Sequence, residues 1–293
     1  MHTVYGGNGF SPVDSPVPRV GEIYAVRQDG GLRWYEYNGR GEEDPSGNRG
    51  WVPNSGNVIG RGWNGFLHLV SGGDGRLYAV AQNGDLRWYQ YVGEGLSDPT
   101  GGTGWAPNSG NVIGNGWQGL RFLFSTPFEG SRREIAGAAI FTVDQNGNLR
   151  WYRYLGHGTN DPSGRTGWHP NSGNFIGRGW SAGFRFVTAI SNVILAVEDD
   201  GDLRWYEYVG EGESDPTGGT GWGPNSGNVI GNGWQGFREI FGGIDWRLGG
   251  YVIYGIAADG SLVWYRYTGS GESDPAGSQG WDPNSGNVIG NAW

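Results

Sequence analysis

The feature that most constrains this chain is an internal repeat. The pair Trp-Tyr occurs five times, and the segment Pro-Asn-Ser-Gly-Asn recurs five times at the same intervals of 54, 63, 54 and 59 residues. Two stretches, residues 83–119 and 200–236, differ at only four of 37 positions. Self-similarity of this kind indicates a stack or ring of one small unit, because such a unit cannot bury its apolar surface alone.

Each copy predicts four short β-strands. The first alternates, as in residues 119–124, and the second is a Leu-Tyr-Ala-Val segment or a variant of it. The third strand is "LRWYEY" (residues 32–37) and its copies, and the fourth is the short "NVIG". Between the second and third strands lies a dipeptide that ends in glycine and supplies the positive φ angles of a tight hairpin. These dipeptides are Asp29-Gly30, Asn83-Gly84, Asn146-Gly147, Asp200-Gly201 and Asp259-Gly260.

The third strand indicates how the copies assemble. Leu32 and Trp34 point to one face, whereas Arg33, Tyr35 and Tyr37 point to the other. Both faces are bulky and must be covered, which sheets stacked radially around an axis achieve. We therefore predict an all-β fold: a five-bladed β-propeller of four-stranded antiparallel blades around a central channel. The single domain would span 1–293, with blades at approximately 8–62, 63–116, 117–179, 180–233 and 234–293.

The two ends of the chain predict how the ring closes. The chain stops at Trp293, a tryptophan that elsewhere leads straight into a first strand, as in Trp63-Asn64-Gly65. The residues expected after this tryptophan, Asn-Gly-Phe, occur instead near the N-terminus, beginning at Asn8. We expect the first strand of blade 1 at roughly residues 10–14, and closure by non-covalent contact between the N-terminal segment, at Asn8, and Trp293.

Composition and charge exclude several classes of protein. The net charge is -9, which disfavours binding to nucleic acid and to anionic membrane surfaces. The sequence contains no cysteine and no apolar run of membrane-spanning length, so we expect no disulfide and no membrane insertion. No ordinary signal peptide is seen, and we expect a protein that is cytoplasmic or released by a non-classical route. Nothing in the sequence fixes the oligomeric state, and a monomer is compatible with it.

Catalytic signals are weak, so we expect no enzyme, no catalytic residue, no metal and no cofactor. The four histidines, His2, His68, His157 and His169, occupy different positions of the repeat and lack zinc-type spacing. The recurring acidic runs, such as Glu272 to Asp274, are typical of solvated loops, with a calcium site as the open alternative. A recurring Asp-Pro, as at Asp44, is typical of a turn in which Asp bonds its own backbone.

At the level of the whole repeat, the chain resembles the tachylectin type two lectins. The matching segments are Ile59-Gly60-Arg61-Gly62-Trp63 and its four copies, each followed by a first strand, with a further Trp about eight residues before each Ile. The resemblance implies a five-bladed propeller that binds N-acetylated amino sugars such as GlcNAc or GalNAc. It also implies that the sugar lies between neighbouring blades, held by the long loop between the outer strands and by the connector to the next blade. The chain departs from the family in two respects: one glycine rather than two precedes the connector Trp, and the loop between the third and fourth strands is longer than in the family.

The polar and aromatic residues of these two segments are therefore the candidate carbohydrate-binding residues. A Trp indole suits the apolar face of a sugar, and neutral amides suit its hydroxyls, although both residue types could equally pack or form turns. The connector position that alternates between Arg and Asn could be plain surface or could tune the ligand. The candidates are Trp51, Asn54, Asn57, Arg61, Trp63, Trp105, Asn108, Asn111, Asn115, Trp117, Trp168, Asn171, Asn174, Arg178, Trp180, Trp222, Asn225, Asn228, Asn232, Trp234, Trp281, Asn284, Asn287, Asn291 and Trp293.

The repetition itself favours recognition over catalysis, because catalysis needs one site whereas binding to dense glycans gains from several equal ones. We therefore predict a multivalent lectin with up to five similar sites and glycans as partners. The alternatives are a protein-interaction scaffold, which would bind a peptide on its top face or in its channel, and a propeller enzyme such as a lactonase or glycan lyase. The enzyme alternative requires histidines and acids that break the repeat and converge at the axis.

Overall fold

The computed structural model describes residues 2–5, 21–127, 138–180, 183–244 and 251–293. Its regular structure is five four-stranded sheets, each with its strands in chain order. All neighbouring strands pair antiparallel, as in the hairpin of β2 (Glu22–Val26) and β3 (Leu32–Glu36). Two 3₁₀ turns, Trp63–Gly65 and Trp234–Gly236, follow connectors, and no helix in the described ranges is long and apolar enough to cross a membrane.

The five sheets are called blades 1 to 5 in chain order, and their strands have the following bounds. Blade 1 contains β1 (His2–Tyr5), β2 (Glu22–Val26), β3 (Leu32–Glu36) and β4 (Asn57–Gly60). Blade 2 contains β5 (Phe66–Gly73), β6 (Arg76–Ala81), β7 (Leu86–Gln90) and β8 (Val112–Gly114). Blade 3 contains β9 (Leu120–Pro127), β10 (Ala138–Asp144), β11 (Leu149–Arg153) and β12 (Asn174–Gly177). Blade 4 contains β13 (Phe184–Ile190), β14 (Val193–Glu198), β15 (Leu203–Glu207) and β16 (Asn228–Gly231), and blade 5 contains β17 (Phe237–Ile244), β18 (Tyr251–Ala257), β19 (Leu262–Tyr267) and β20 (Asn287–Gly290).

The first strand of each blade lines a central axis. The strands β1, β5, β9, β13 and β17 contact one another in a closed ring that includes the contact of β17 with β1. The second, third and fourth strands lie progressively farther from the axis, because each sheet keeps its strands in sequence order. The prediction of a five-bladed propeller with four-stranded antiparallel blades is confirmed.

The third-strand tryptophans form the core between neighbouring blades. Trp34 is buried, and its indole packs against Gly95, which lies in the long loop of blade 2 with a φ of 66°. A Cβ added at Gly95 would lie 2.0 Å from the ring carbon Cε3 of Trp34, so only glycine fits there. The same contact recurs at every junction. The pairs are Trp34 with Gly95, Trp88 with Gly158, Trp151 with Gly212, Trp205 with Gly271 and Trp264 with Gly41.

The first strand of blade 1 differs from the expectation. The strand that pairs with β2 is β1, His2–Tyr5, with His2 opposite Val26 and Tyr5 opposite Ile23. The segment expected there, residues 10–14, lies outside the described residues, as does Asn8. The expectation rested on likeness to the segment after Trp63, whereas strand pairing depends on which segment reaches the open edge of β2. The blade limits drawn from the sequence remain a proposal.

Blades 5 and 1 meet through non-covalent contacts between described residues. The Asn287 side chain donates a hydrogen bond to the carbonyl oxygen of Gly41 at 2.9 Å, and the Trp51 indole N–H donates to the carbonyl oxygen of Ile289 at 3.2 Å. Trp293 packs on Trp51 with ring centroids 5.5 Å apart. These contacts repeat those of the other four junctions, so the outer part of the ring closes as a regular blade junction.

Candidate functional site

A groove opens as a cavity at the outer edge of blade junctions 2/3 and 5/1, and equivalent residues meet at the other three junctions. Each groove is named here by the two blades that form it. Groove 2/3 is a cavity of about 430 Å³ between the connector of blade 2, with Asn115 and Trp117, and the long loop of blade 3, with Ser163 and Trp168. Groove 5/1 is a cavity of about 180 Å³ formed by the equivalent residues. The structure therefore brings together the loop and connector segments that the sequence pointed to.

Three aromatic rings form one wall of each groove, and we call them the aromatic triad. The connector Trp of one blade packs on the second residue of the Trp-Tyr pair of the next blade, with centroids 4.5 to 4.7 Å apart. It also lies 5.4 to 5.8 Å from the loop Trp of that next blade. Such tilted and offset contacts are the favoured arrangements of aromatic rings. The five triads are Trp63, Tyr89 and Trp105; Trp117, Tyr152 and Trp168; Trp180, Tyr206 and Trp222; Trp234, Tyr265 and Trp281; and Trp293, Tyr35 and Trp51.

The tyrosine of the triad is the residue that the sequence analysis missed. Strand alternation placed it on the face opposite the core Trp but gave it no role in the site. Burial raises the pKa of Tyr89, Tyr152, Tyr206 and Tyr265, so their hydroxyls stay protonated at physiological pH. Its invariance in all five Trp-Tyr pairs was the signal that could have identified it.

The two tryptophans of a triad differ in what they expose. The connector tryptophans of blades 1 to 4 are buried, with 5 to 8% of their surface exposed. The loop tryptophans are half-buried, and each donates its indole N–H to a carbonyl oxygen of the preceding blade, at 3.1 to 3.3 Å. A ligand in the groove would therefore meet more of the loop Trp than of the connector Trp.

The first asparagine of Pro-Asn-Ser-Gly-Asn connects neighbouring blades. In each copy its side-chain amide donates to a backbone carbonyl oxygen in the long loop of the next blade, at 2.6 to 2.9 Å. A bond of this kind accounts for the recurrence of the residue without any ligand. The donor and acceptor pairs are Asn54 and Glu94, Asn108 and His157, Asn171 and Glu211, Asn225 and Ser270, and Asn284 and Arg40.

The second asparagine makes a parallel bond deeper in the junction. Its side-chain amide donates at 2.9 Å to the carbonyl oxygen of the glycine that contacts the core Trp. We call the two asparagines together the amide clamp. The pairs of this second bond are Asn57 and Gly95, Asn111 and Gly158, Asn174 and Gly212, Asn228 and Gly271, and Asn287 and Gly41.

The variable connector residue lies at the mouth of the groove. Asn115 lines groove 2/3 and Asn291 lines groove 5/1. Asn115 also donates to a carboxylate oxygen of Asp85 at 2.8 Å, and Asn232 donates to Asp202 at 2.7 Å. Arg61 and Arg178 occupy the same position in blades 1 and 3 and are exposed.

The Asp-Pro turns are structural, as their sequence suggested. The Asp98 carboxylate accepts hydrogen bonds from Thr100 and Thr103, whose backbone N–H groups lie 3.0 and 2.7 Å away. The hydroxyl of Thr100 comes first among the groups that hold the pKa of this carboxyl well below its usual range. The backbone N–H of Asp98 donates to the carbonyl oxygen of Val58 in the preceding blade at 2.8 Å, so the turn also helps to hold the junction.

One group of carboxylates among the described residues has oxygens close enough to share a cation. It comprises Glu198, Asp200 and Asp202, on the hairpin of blade 4. Glu198 is already paired with Arg204 at 2.8 Å, and Asp202 accepts the bond from Asn232. The recurring acidic runs, which the sequence analysis named as an alternative calcium site, contribute no residue to this group.

A third cavity, of about 180 Å³, lies at the axis, and its lining includes His68, Ser125, Thr188 and Glu239. His68 and Glu239 are equivalent positions of β5 and β17, so they break the repeat. The Thr188 hydroxyl accepts a hydrogen bond from the backbone N–H of Gly242 at 3.1 Å. The axial cavity therefore holds two off-repeat residues, a histidine and an acid.

Comparisons with known proteins place these features in a family. A sequence model described as Tachylectin matches residues 6–217. A comparison with curated proteins finds no match. The fucose-specific lectin from Aleuria aurantia is similar in structure, with 16% identity, a TM-score of 0.43, and coverage of 92% of this chain and 73% of that chain.

Two further solved structures are similar at the same level. A variant of the Aleuria aurantia lectin in complex with α-methyl-L-fucoside has 15% identity and a TM-score of 0.47, covering 99% of this chain and 78% of that chain. A calcium structure of carbohydrate-active enzyme family AA12 from Trichoderma reesei has 13% identity and a TM-score of 0.45, covering 97% and 82%. The family match thus spans most of the chain, whereas the structural similarities are distant.

Proposed function

Because the chain belongs to the tachylectin family, we propose that it is a multivalent carbohydrate-binding protein with up to five similar sites, one in each groove. The observation that carries the proposal is the recurrence of the aromatic triad at all five junctions. The half-buried carbon face of the loop Trp suits the apolar face of a pyranose ring. The neutral hydroxyls and amides around it offer donors and acceptors without the desolvation cost of a charge.

The ligand proposed for the grooves is an N-acetylated amino sugar such as GlcNAc or GalNAc. An acetamido group presents a methyl that suits the aromatic wall and an amide that suits the polar rim. In groove 2/3 the rim offers Ser163, Asn115 and Ser172 beside Tyr152 and Trp168. Fucose, the ligand named for the solved lectins, is the comparison sugar for the test.

Multivalency would make up for weak individual sites. Shallow sugar sites bind at about the millimolar level, and engaging several of them together can gain about 10²- to 10⁴-fold in avidity. Five grooves around one ring suit ligands displayed densely on a surface. Agglutination of glycan-coated particles together with weak binding of the free monosaccharide is the expected behaviour.

Tryptophan fluorescence and calorimetry with free GlcNAc test the proposal. The change is Trp168→Ala, which removes the loop Trp of groove 2/3 and leaves the other four grooves intact. We expect one molecule fewer of GlcNAc bound per chain, with unchanged affinity at the remaining sites, because the grooves are separate. Thermal unfolding of the same variant shows whether the fold survives.

His68→Ala is the matched control, because His68 lines the axis rather than a groove. It should leave the number of bound sugars unchanged. If neither GlcNAc nor fucose alters the fluorescence at high concentration and no glycan binds on an array, the lectin proposal fails. If Trp168→Ala folds but binds as many sugars as the wild type, the site does not lie in the groove.

The axial cavity supports a second, enzymatic candidate. His68 and Glu239 break the repeat there, which is where the sequence analysis expected the residues of a lactonase or glycan lyase. Turnover of a glycan or lactone that His68→Ala abolishes and Trp168→Ala leaves intact would establish it. Capture of a peptide partner without glycan binding would instead favour the scaffold alternative.

A further inference from the structure

The five grooves differ at their mouths in a correlated way. The connector residue changes together with the residue that follows the hairpin dipeptide of the same blade. Where the connector has Arg, the hairpin residue is uncharged, and in two of the three blades with Asn it is Asp. The hairpin and connector pairs are Gly31 and Arg61, Asp85 and Asn115, Asn148 and Arg178, Asp202 and Asn232, and Ser261 and Asn291.

In grooves 2/3 and 4/5 the two residues of this pair form a hydrogen bond with each other. Asn115 donates to Asp85 at 2.8 Å, and Asn232 donates to Asp202 at 2.7 Å. The bond from Asn115 is the first of the causes that lower the pKa of Asp85, so this carboxylate is ionised at neutral pH. A carboxylate therefore stands beside the mouth of each of these two grooves. In groove 4/5 it disfavours an anionic ligand, whereas in groove 2/3 the guanidinium of Arg165 lines the same cavity and offsets it.

In grooves 1/2 and 3/4 the connector side chain is a charged donor instead. Arg61 and Arg178 are exposed, and neither has a hydrogen-bond or ion-pair partner within the described ranges. The hairpin position opposite them is Gly31 or Asn148 rather than Asp, and the carboxylates of these two hairpins, Asp29 and Asp144, accept hydrogen bonds from Gly31 and Asn148 themselves. Each guanidinium can therefore present its fork of N–H donors to a ligand.

The connector backbone is the same in both kinds of groove. The glycine before the connector Trp has a φ of 83° in blade 1, 88° in blade 2, 84° in blade 3 and 91° in blade 4. The connector Trp donates its backbone N–H to the hairpin glycine at 3.0 to 3.1 Å in all five blades. Arg61 and Arg178 thus leave the backbone at the position from which Asn115 and Asn291 line their grooves.

We infer that grooves 1/2 and 3/4 select saccharides bearing an acidic group, a carboxylate or a sulfate, while groove 4/5 selects neutral ones. The inference rests on the proposed lectin function. It names Arg61 and Arg178 as the residues that distinguish sites for acidic sugars from sites for neutral ones. A guanidinium recognises carboxylate and sulfate oxygens through paired, charge-assisted hydrogen bonds. The net charge of -9 repels acidic glycans in general, so their binding needs a local cation such as Arg61 or Arg178.

The test uses three free sugars and three proteins. The sugars are GlcNAc, 6-O-sulfo-GlcNAc and N-acetylneuraminic acid, of which the last two distinguish a sulfate from a carboxylate. The proteins are the wild type, the double variant Arg61→Asn/Arg178→Asn, and the double variant Asp202→Gly/Asn232→Arg. The third protein carries into groove 4/5 the pair found at groove 1/2. Affinity and stoichiometry are measured by calorimetry at low salt and at about 1 M salt, where charges are screened beyond about 3 Å.

We expect the wild type to bind at least one acidic sugar about two- to fivefold more tightly at grooves 1/2 and 3/4 than at groove 4/5, as suits an exposed ion pair. This preference should disappear in high salt and in Arg61→Asn/Arg178→Asn, where the ratio of acidic to neutral affinity should fall to the value found at groove 4/5. Asp202→Gly/Asn232→Arg should gain a third acidic site. If GlcNAc binds but the ratio of acidic to neutral affinity is equal in the wild type and the Arg61→Asn/Arg178→Asn variant, the inference is overturned and the lectin function stands. If no sugar binds to any of the three proteins, the proposed function fails and the inference with it.

Discussion

The long loop and the connector are neighbours in sequence, yet the structure uses their polar residues differently. In blade 4 the side-chain amides of Asn225 and Asn228, in and at the end of the long loop, donate hydrogen bonds to backbone carbonyl oxygens of blade 5. The connector residue Asn232, a few positions later, bonds only to the side chain of Asp202. The loop asparagines are invariant in all five copies, whereas the connector residue alternates with Arg. Invariant polar residues here hold neighbouring blades together, whereas the variable one in blade 4 bonds within its own blade.

The largest expected effect comes from a glycine in each region. Gly212 in the long loop and Gly233 in the connector both have positive φ, at 71° and 91°. A Cβ at Gly212 would lie 2.0 Å from the Cε3 atom of Trp151, whereas a Cβ at Gly233 would meet nothing within 4 Å. Gly233→Ala should lower the free energy of unfolding by about 1 to 2 kcal/mol through backbone strain alone. Gly212→Ala should cost about 1 to 3 kcal/mol more, because the junction must also move apart.

Urea unfolding of the two variants measures this difference directly. Equal losses in the free energy of unfolding would mean that the blade junction relaxes around the added methyl group. Packing would then not distinguish the loop from the connector.

The next effect concerns the amide clamp. Asn228→Ala removes the donor to the carbonyl oxygen of Gly271, which lies in the part-buried junction. We expect the free energy of unfolding to fall by about 1 to 3 kcal/mol, since that carbonyl oxygen loses its partner. Asn232→Ala is the matched control and should change stability by no more than about 0.5 kcal/mol, because its bond to Asp202 is exposed. A loss in Asn232→Ala as large as in Asn228→Ala would remove the distinction between the two regions.

The smallest effect appears in the dependence of stability on pH. Hydrogen bonds from Thr100 and Thr103 hold the pKa of Asp98 well below its usual range, and bonds from Asn115 and Asn83 lower the pKa of Asp85 less strongly. A carboxyl whose pKa is lowered by folding stabilises the protein above its unfolded pKa of about 3.9. That contribution is lost as the pH falls through the folded pKa.

Melting temperatures measured from pH 5 down to pH 2 test this expectation. Both Asp98→Asn, in the loop, and Asp85→Asn, beside the connector, should flatten the acid side of the curve. The loop variant should flatten it more. An acid profile identical to that of the wild type in Asp98→Asn would show that the loop carboxylate does not contribute in this way.

Most of the fold could be read from the sequence because its signals are local. The dipeptide Asn83-Gly84 fixes a tight hairpin, and the alternation in "LRWYEY" fixes which side chains share a face. The first strand of blade 1 was the exception: β1 lies at His2–Tyr5, and the segment expected there falls outside the described residues. Likeness between short segments was the only signal for that strand, and it does not report which segment pairs with β2.

The candidate site was predicted in outline but not in its roles. The loop and connector tryptophans do converge, and the sequence identified both. It did not identify Tyr89 and its equivalents as ring partners, because the partner tryptophan belongs to the preceding blade. It also could not separate the clamp asparagines from the variable connector position, since Asn, Ser and Gly serve turns, clamps and ligands alike.

The sequence by itself determined the repeating unit, its strands and turns, and the number of copies, since these depend on residues close together in the chain. Tertiary structure alone decided which polar groups are already bonded. Asn57 and the carbonyl oxygen of Gly95 are 38 positions apart, and Asn287 and that of Gly41 are 246 apart. A hydrogen bond depends on the distance and direction between two groups, and only the packing of one blade against the next sets these.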